Sequence, residues 1–87
     1  MIKEALIMSN EDNVATIVSE SVEAGVTVNC ETKKIKARGK IPFGHKIALS
    51  DIQKGNNIIK YGEVIGKALK DIREGDHAHI HNIKGLN

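Results

Sequence analysis

The chain has 87 residues: one small domain, of a size that buries only about 60–65% of the surface its unfolded form exposes. Its only aromatic residues are Phe43 and Tyr61, so the core must be built from Ile, Val, Leu and Ala, with Tyr61 expected in it. A chain this short cannot wall a deep cleft of its own, and no apolar run approaches the roughly 20 residues of a membrane-spanning helix. The first residues lack the apolar stretch of a secretory leader, so a cytoplasmic location is expected. Cys30 is the single cysteine. It excludes an internal disulfide and reads as a small buried hydrophobe.

The formal net charge of +2 is unevenly spread. Residues 1–31 carry six acids and one lysine, whereas Lys33, Lys34, Lys36, Arg38, Lys40 and Lys46 follow with no acid among them. Such a stretch faces an anion or, more plainly, protects a strand edge from pairing. With no aromatics interleaved for base stacking, nucleic-acid binding has little support.

In chain order, Ala5–Met8 reads as a first strand. Asp12 or Asn13 caps a brief helix through Val14, Ala15, Ile17 and Val18, whose spacing is helical. Val26–Cys30 alternates as a strand, Lys33–Arg38 less cleanly, and Ile41–Gly44 is a turn in which Pro42 argues against a central strand. His45–Leu49 extends again, followed by short strands at Ile58–Tyr61 and Val64–Gly66. His77–Ile83 alternates strictly. Three sites share an apolar residue, two others and a glycine: Val22–Gly25, Ile52–Gly55 and Ile72–Gly75. The last two agree further, at five of the eight positions Ala48–Gly55 against Ala68–Gly75 (Ala, Leu, Asp, Ile and Gly). Two copies are too few for a solenoid, so the reading is a mostly β domain, pseudo-symmetric, with short strands, glycine turns and one short helix.

The sharpest chemical signal is Asp76-His77-Ala78-His79-Ile80-His81-Asn82. In a strand, His77, His79 and His81 share one face at spacings of about 6.5–7 Å, near enough for two to converge on one metal ion. Neutral imidazole suits several first-row metals and also proton transfer near neutral pH. The alternative is a polar strand face that happens to be rich in histidine. A second constellation, Ile41-Pro42-Phe43-Gly44-His45-Lys46, delivers His45 and Lys46 to opposite faces, with Lys46 suited to a carboxylate as a point charge. A third, Lys60-Tyr61-Gly62-Glu63-Val64-Ile65-Gly66, lacks the glycine spacing of a nucleotide loop.

Together these segments, IPFGHKIALSDIQKGNNIIKYGEVIGKALKDIREGDHAHIHNIK, resemble the small N-terminal module of the altronate and galactarate dehydratase family. The family's elements are approximately P-x-G-H-K-x-A, K-Y-G-x-x-I-G and G-x-x-V-H-x-H-N, and the likeness covers residues 3–84. Ala78 stands where the family usually has Val. The resemblance implies a SAF domain with the β-clip fold, also found in type III antifreeze protein. It also implies a separate small subunit beside a large dehydratase subunit, acting on a sugar acid with a divalent metal, Fe(II) or Mn(II). Altronate dehydratase and sulfolactate sulfo-lyase both eliminate a group beta to a carboxylate, water in one and sulfite in the other. On this resemblance His45, His79 and His81, with His77 as a further candidate, are metal ligands or acid/base groups. Lys46, Lys60 and Asn82 are substrate-binding, Asn82 alternatively orienting a neighbouring histidine. Neither nucleic acid nor membrane is an expected partner. An exposed apolar patch is expected where the large subunit docks, with self-association when that subunit is missing, the strand edges offering one route to it. The competing class is a non-catalytic module that binds a sugar acid or regulates a partner.

Overall fold

The structure, a computed structural model, describes residues 3–31 and 33–86. Nine strands appear in order: β1 Lys3–Leu6, β2 Val14–Ile17, β3 Thr27–Cys30, β4 Lys33–Lys36, β5 Lys46–Ala48, β6 Asn57–Lys60, β7 Glu63–Ala68, β8 His77–Ala78 and β9 Ile83–Gly85. They form a six-stranded sheet, β4-β3-β1-β2-β5-β8, and a three-stranded sheet, β6-β7-β9. Among the described residues only β1 and β3 pair in parallel; the other strand pairings are antiparallel.

Four tight turns organise the chain. Glu23–Val26, Pro42–His45, Gln53–Asn56 and Arg73–Asp76 each close with a backbone bond of 2.9–3.2 Å from the fourth residue's N–H to the first residue's carbonyl. Their third residues, Gly25, Gly44, Gly55 and Gly75, have φ of 87°, 82°, 88° and 91°. That is the type II geometry, which needs positive φ at this position. The residue before each turn meets its counterpart across the fold. Val22 and Ile41 exchange both backbone bonds at 2.8 Å, and Ile52 and Ile72 do the same at 2.7 and 2.8 Å. The pseudo-symmetry expected from sequence is therefore present, with Ile41–Gly44 as a fourth copy of the repeated turn.

Each clasp nucleates its own core. Val22 and Ile41 pack with Ala15, Ile17, Val28, Ile35 and Ile47. Ile52 and Ile72 pack with Val14, Ala48, Ile58, Ala68 and Ala78. Full burial of each Ile or Val stabilises the fold by about 1.5–3 kcal/mol. The wall between the cores is β2 and β5. Val14 and Ala48 face one core while Ala15, Ile17 and Ile47 face the other.

That double burial corrects the expected helix at residues 14–18. There is no helix among the described residues. A strand buried on both faces shows no two-residue alternation, and its run of Val, Ala and Ile mimics helical spacing. Three of the four β2 residues are buried, and Val14, Thr16 and Ile17 are β-branched. A second correction concerns Tyr61, which is exposed rather than in the core. It sits at the corner of the β6–β7 hairpin, where Tyr61 and Gly62 both have positive φ, 58° and 72°, as a two-residue type I′ turn requires. The corner directs its ring outward, with Lys60 Nζ 4.8 Å from the ring centroid. Cys30 is fully buried, and burial raises its thiol to about 11.

Asp12, only 9% exposed, ties the hairpin to the first strands. Its Oδ2 accepts the amides of Met8 and Ser9 at 3.1 Å, and its Oδ1 accepts that of Gly62 at 2.8 Å. Burial pushes its acidity the other way, but amide donation from Gly62, Met8, Tyr61 and Ser9 prevails and lowers the pKa below 3.8. Asp12→Asn is therefore expected to destabilise the fold by about 2–3 kcal/mol at pH 7, since buried amides lose a charged acceptor. A depressed carboxylate gives stability that is complete above the unfolded value and lost as pH falls through the folded one. The gap between wild type and variant should thus begin to narrow as pH falls below 3.8 and close only below the lower, folded value. Urea unfolding at a series of pH values from about 7 down to about 2 tests this, and a stability gap that stays constant over the whole series would refute it.

Candidate functional site

His45 ends the Pro42–His45 turn and enters β5, while His77 opens β8 directly after the Arg73–Asp76 turn. β5 and β8 pair with Ile47 opposite His77. His45, two residues before Ile47, is consequently the diagonal neighbour of His77 on the same face. The two rings meet, with Nδ1 of His45 2.8 Å from Nε2 of His77. One ring must donate and the other accept, so the pair shares one proton. His79 stacks on His45 with centroids 4.0 Å apart.

The expected continuous strand over 77–83 is not what forms. β8 ends at Ala78, and the His79 carbonyl accepts the amides of Asn82 (3.0 Å) and Ile83 (2.8 Å) in a turn. Asn82 causes the break. Its Oδ1 accepts the His79 amide at 2.8 Å and its Nδ2 donates to the His77 carbonyl at 2.9 Å. Asn side chains compete with ladder bonds in this way. At 4% exposure, Asn82 has its amide engaged with backbone and holds His77 and His79 in place.

The three rings of His45, His77 and His79 are half-buried, and each offers a nitrogen within 4.8 Å of the others. His81 lies outside this group; it is exposed, and its ring lies 5.1 Å from that of His77. No carboxylate joins the three among the described residues. Burial lowers the pKa of His77 to about 4, helped by His81, His45, His79 and Lys46. Burial also lowers that of His79, with His45, Lys46 and His81 adding to the effect. Both rings therefore keep a lone pair available at neutral pH. The three imidazoles together form the donor set that would hold a divalent first-row ion here, and the His45–His77 contact holds a shared proton without one.

Two shallow grooves flank the cluster. One, about 190 Å³, is lined by Lys46, Ile65, His79, Ile80 and Ile83. Burial, then the charge of Lys60, lowers the Lys46 pKa. Neither lysine has an ion-pair partner among the described residues. Opposite Lys46 in the sheet is Thr16, whose Oγ1 is buried without a hydrogen bond. The other groove, about 260 Å³, has Arg38, Lys70, Asp71, Asp76, His77 and His81 in its wall. Arg38 Nε donates to Asp76 Oδ1 at 3.0 Å, which brings it beside the cluster. From sequence Arg38 was only one member of a basic stretch; the signal that places it is Asp76, immediately before His77. Two larger cavities, about 440 Å³ between Met8, Asp12, Glu31 and Lys33 and about 480 Å³ beside Lys36, Arg38 and Glu74, contain no histidine, so size alone does not locate the chemistry.

Comparison with known proteins now bears on this geometry. The chain is 38% identical over 80 residues to (2R)-sulfolactate sulfo-lyase subunit alpha from Chromohalobacter salexigens, covering 85% of each. It is 45% identical over 73 residues to altronate dehydratase from Escherichia coli K12, which takes in 84% of this chain but only 14% of that protein. Against the sulfo-lyase subunit alpha of Paracoccus pantotrophus it is 42% identical over 59 residues, 68% of this chain and 88% of that one. Residues 3–86 match the altronate/galactarate dehydratase SAF domain, and the all-strand, clasped architecture agrees with its β-clip fold: the chain belongs to that family.

Proposed function

We propose that this chain is the small subunit of a metal-dependent lyase that dehydrates a sugar acid such as altronate, working beside a longer chain. The observation that carries the proposal is the meeting of three half-buried imidazoles, His45, His77 and His79, beside Lys46. Elimination next to a carboxylate requires a base for the alpha proton, stabilisation of the enolate-like charge, and an acid for the leaving group. The His45–His77 pair, sharing one proton at 2.8 Å, takes up or hands on a proton without rearrangement. His79, stacked on His45, presents its ring towards the Lys46 groove. Lys46 and Lys60 place positive charge where a substrate carboxylate would sit, and Asn82 fixes the backbone that carries two of the rings. A divalent ion such as Fe(II) or Mn(II), held by His45, His77 and His79, would supply Lewis acidity for the developing negative charge.

A second reading, sulfite elimination from sulfolactate, has its own support. The alpha subunit of the Chromohalobacter enzyme matches this chain over 85% of both lengths. The two are separated by assaying altronate, galactarate and sulfolactate anaerobically with Fe(II) or Mn(II). This chain is tested alone and with the long chain of the same genome that resembles the rest of altronate dehydratase. Turnover is expected only with both chains present, and the substrate consumed decides between the readings. An assembled, metal-supplied complex that turns over none of them would replace the lyase with a binding or regulatory module.

A further inference from the structure

Two of the turns beside the cluster histidines, Pro42–His45 and His79–Asn82, also carry the most exposed large apolar side chains of the described residues. Phe43, 67% exposed, is the second residue of the Pro42–His45 turn. Ile80, 80% exposed, is the second residue of the His79–Asn82 turn. The other three type II turns have the same backbone, yet hold Ala24, Lys54 and Glu74 at that position. Turn geometry therefore does not call for Phe43. Beside Ile80, the groove of about 190 Å³ continues the apolar surface through Ile65 and Ile83 up to His79 and Lys46. Exposed apolar surface bordering a polar site is the usual mark of an interface.

We infer that Phe43, Ile80 and the Ile65–Ile83 groove form the seat of the longer lyase chain, which closes over the histidine cluster so that the site lies at the boundary between the two. This rests on the lyase reading above. The altronate dehydratase relative carries the same module as 14% of its length, so most of that protein lies outside the module and is the natural cover for the seat. A second copy of this chain fits poorly. An isologous contact on this face would bring Lys46 and Lys60 towards their own copies, and neither has a neutralising partner among the described residues. The cluster needs such a cover, because the grooves beside it are shallow and open along this face.

The experiment measures the dissociation constant between this chain and the long chain resembling the rest of altronate dehydratase, by calorimetry or sedimentation. Phe43→Ser and Ile80→Ser should each weaken association at least tenfold, and Phe43→Ser, which lies outside the Lys46 groove, should keep kcat at saturating small subunit within about twofold of wild type. Met8→Ser should leave both unchanged, since Met8 is 47% exposed but lines the cavity without histidines. Should Ile80→Ser disturb its turn, visible as a lowered Tm, Phe43→Ser decides alone from a separate turn. Wild-type affinity in both seat variants, or equal weakening by Met8→Ser, overturns the seat while turnover of the pair leaves the lyase reading standing. Neither complex nor turnover from the unaltered chains overturns both.

Discussion

His77→Ala is expected to lower turnover of the assembled lyase by about 10²–10⁴-fold, the range for removing a group that moves a proton in the transition state, while association stays at the wild-type level. His77 holds the cluster together. It is hydrogen-bonded to His45, its ring lies parallel to that of His79 at 5.5 Å, and burial keeps it neutral. Its backbone is fixed independently by the β5 pairing and by Asn82, so truncating the ring should leave the fold intact. His81→Ala should cost less than tenfold, because that ring is exposed and outside the group of three. Steady-state kinetics on the reconstituted complex, with metal content measured in parallel, checks both. His77→Ala keeping more than a tenth of wild-type activity would remove the cluster from the chemistry, as would an equal loss in His81→Ala.

The largest stability effect is expected at Gly75. Its φ of 91° lies in the left-handed region, where a side chain costs roughly 1–2 kcal/mol. A Cβ at this position would also run into the carbonyl of Lys36. Nothing can give way cheaply. The Gly75 amide donates to Ala48 and its carbonyl accepts Arg38, both at 2.9 Å. Gly75→Ala should therefore lose about 3–4 kcal/mol, against a total of roughly 5–10 for a domain of this size, and lower Tm by about 15–25 °C. Gly55→Ala is the internal comparison. Its φ is 88° and nothing lies within 4 Å of the added Cβ, so it should lose only about 1–2 kcal/mol. Equal losses in thermal melts of the two variants would show that the close approach to Lys36 is immaterial.

The turns were legible in the sequence because a positive φ leaves glycine at a fixed offset from an apolar residue, and three of the four showed that spacing plainly. Ile41–Gly44 was read as a turn, but Pro42 hid its kinship with the others. β2 was misread because periodicity reports one-sided burial, and β2 is buried on both sides. The histidines were found, but their grouping was not. Strict alternation over 77–83 gave no sign that Asn82 would turn the chain back at His79. Nor does any local pattern show that β5 and β8 pair so as to bring His45, 32 residues away, within hydrogen-bond distance of His77. Pairing between distant strands depends on the whole fold, which local spacing does not encode.

The wall shared by the two cores makes the module indivisible. Although the chain reads as a repeat, neither half can be cut free. Removing one would strip β2 and β5 of a covered face and leave aliphatic side chains in water. Recombination between genes can therefore move this unit only whole. That is how it is distributed among its relatives: as nearly the full length of a stand-alone subunit in the sulfo-lyases and as a small fraction of a long chain in altronate dehydratase.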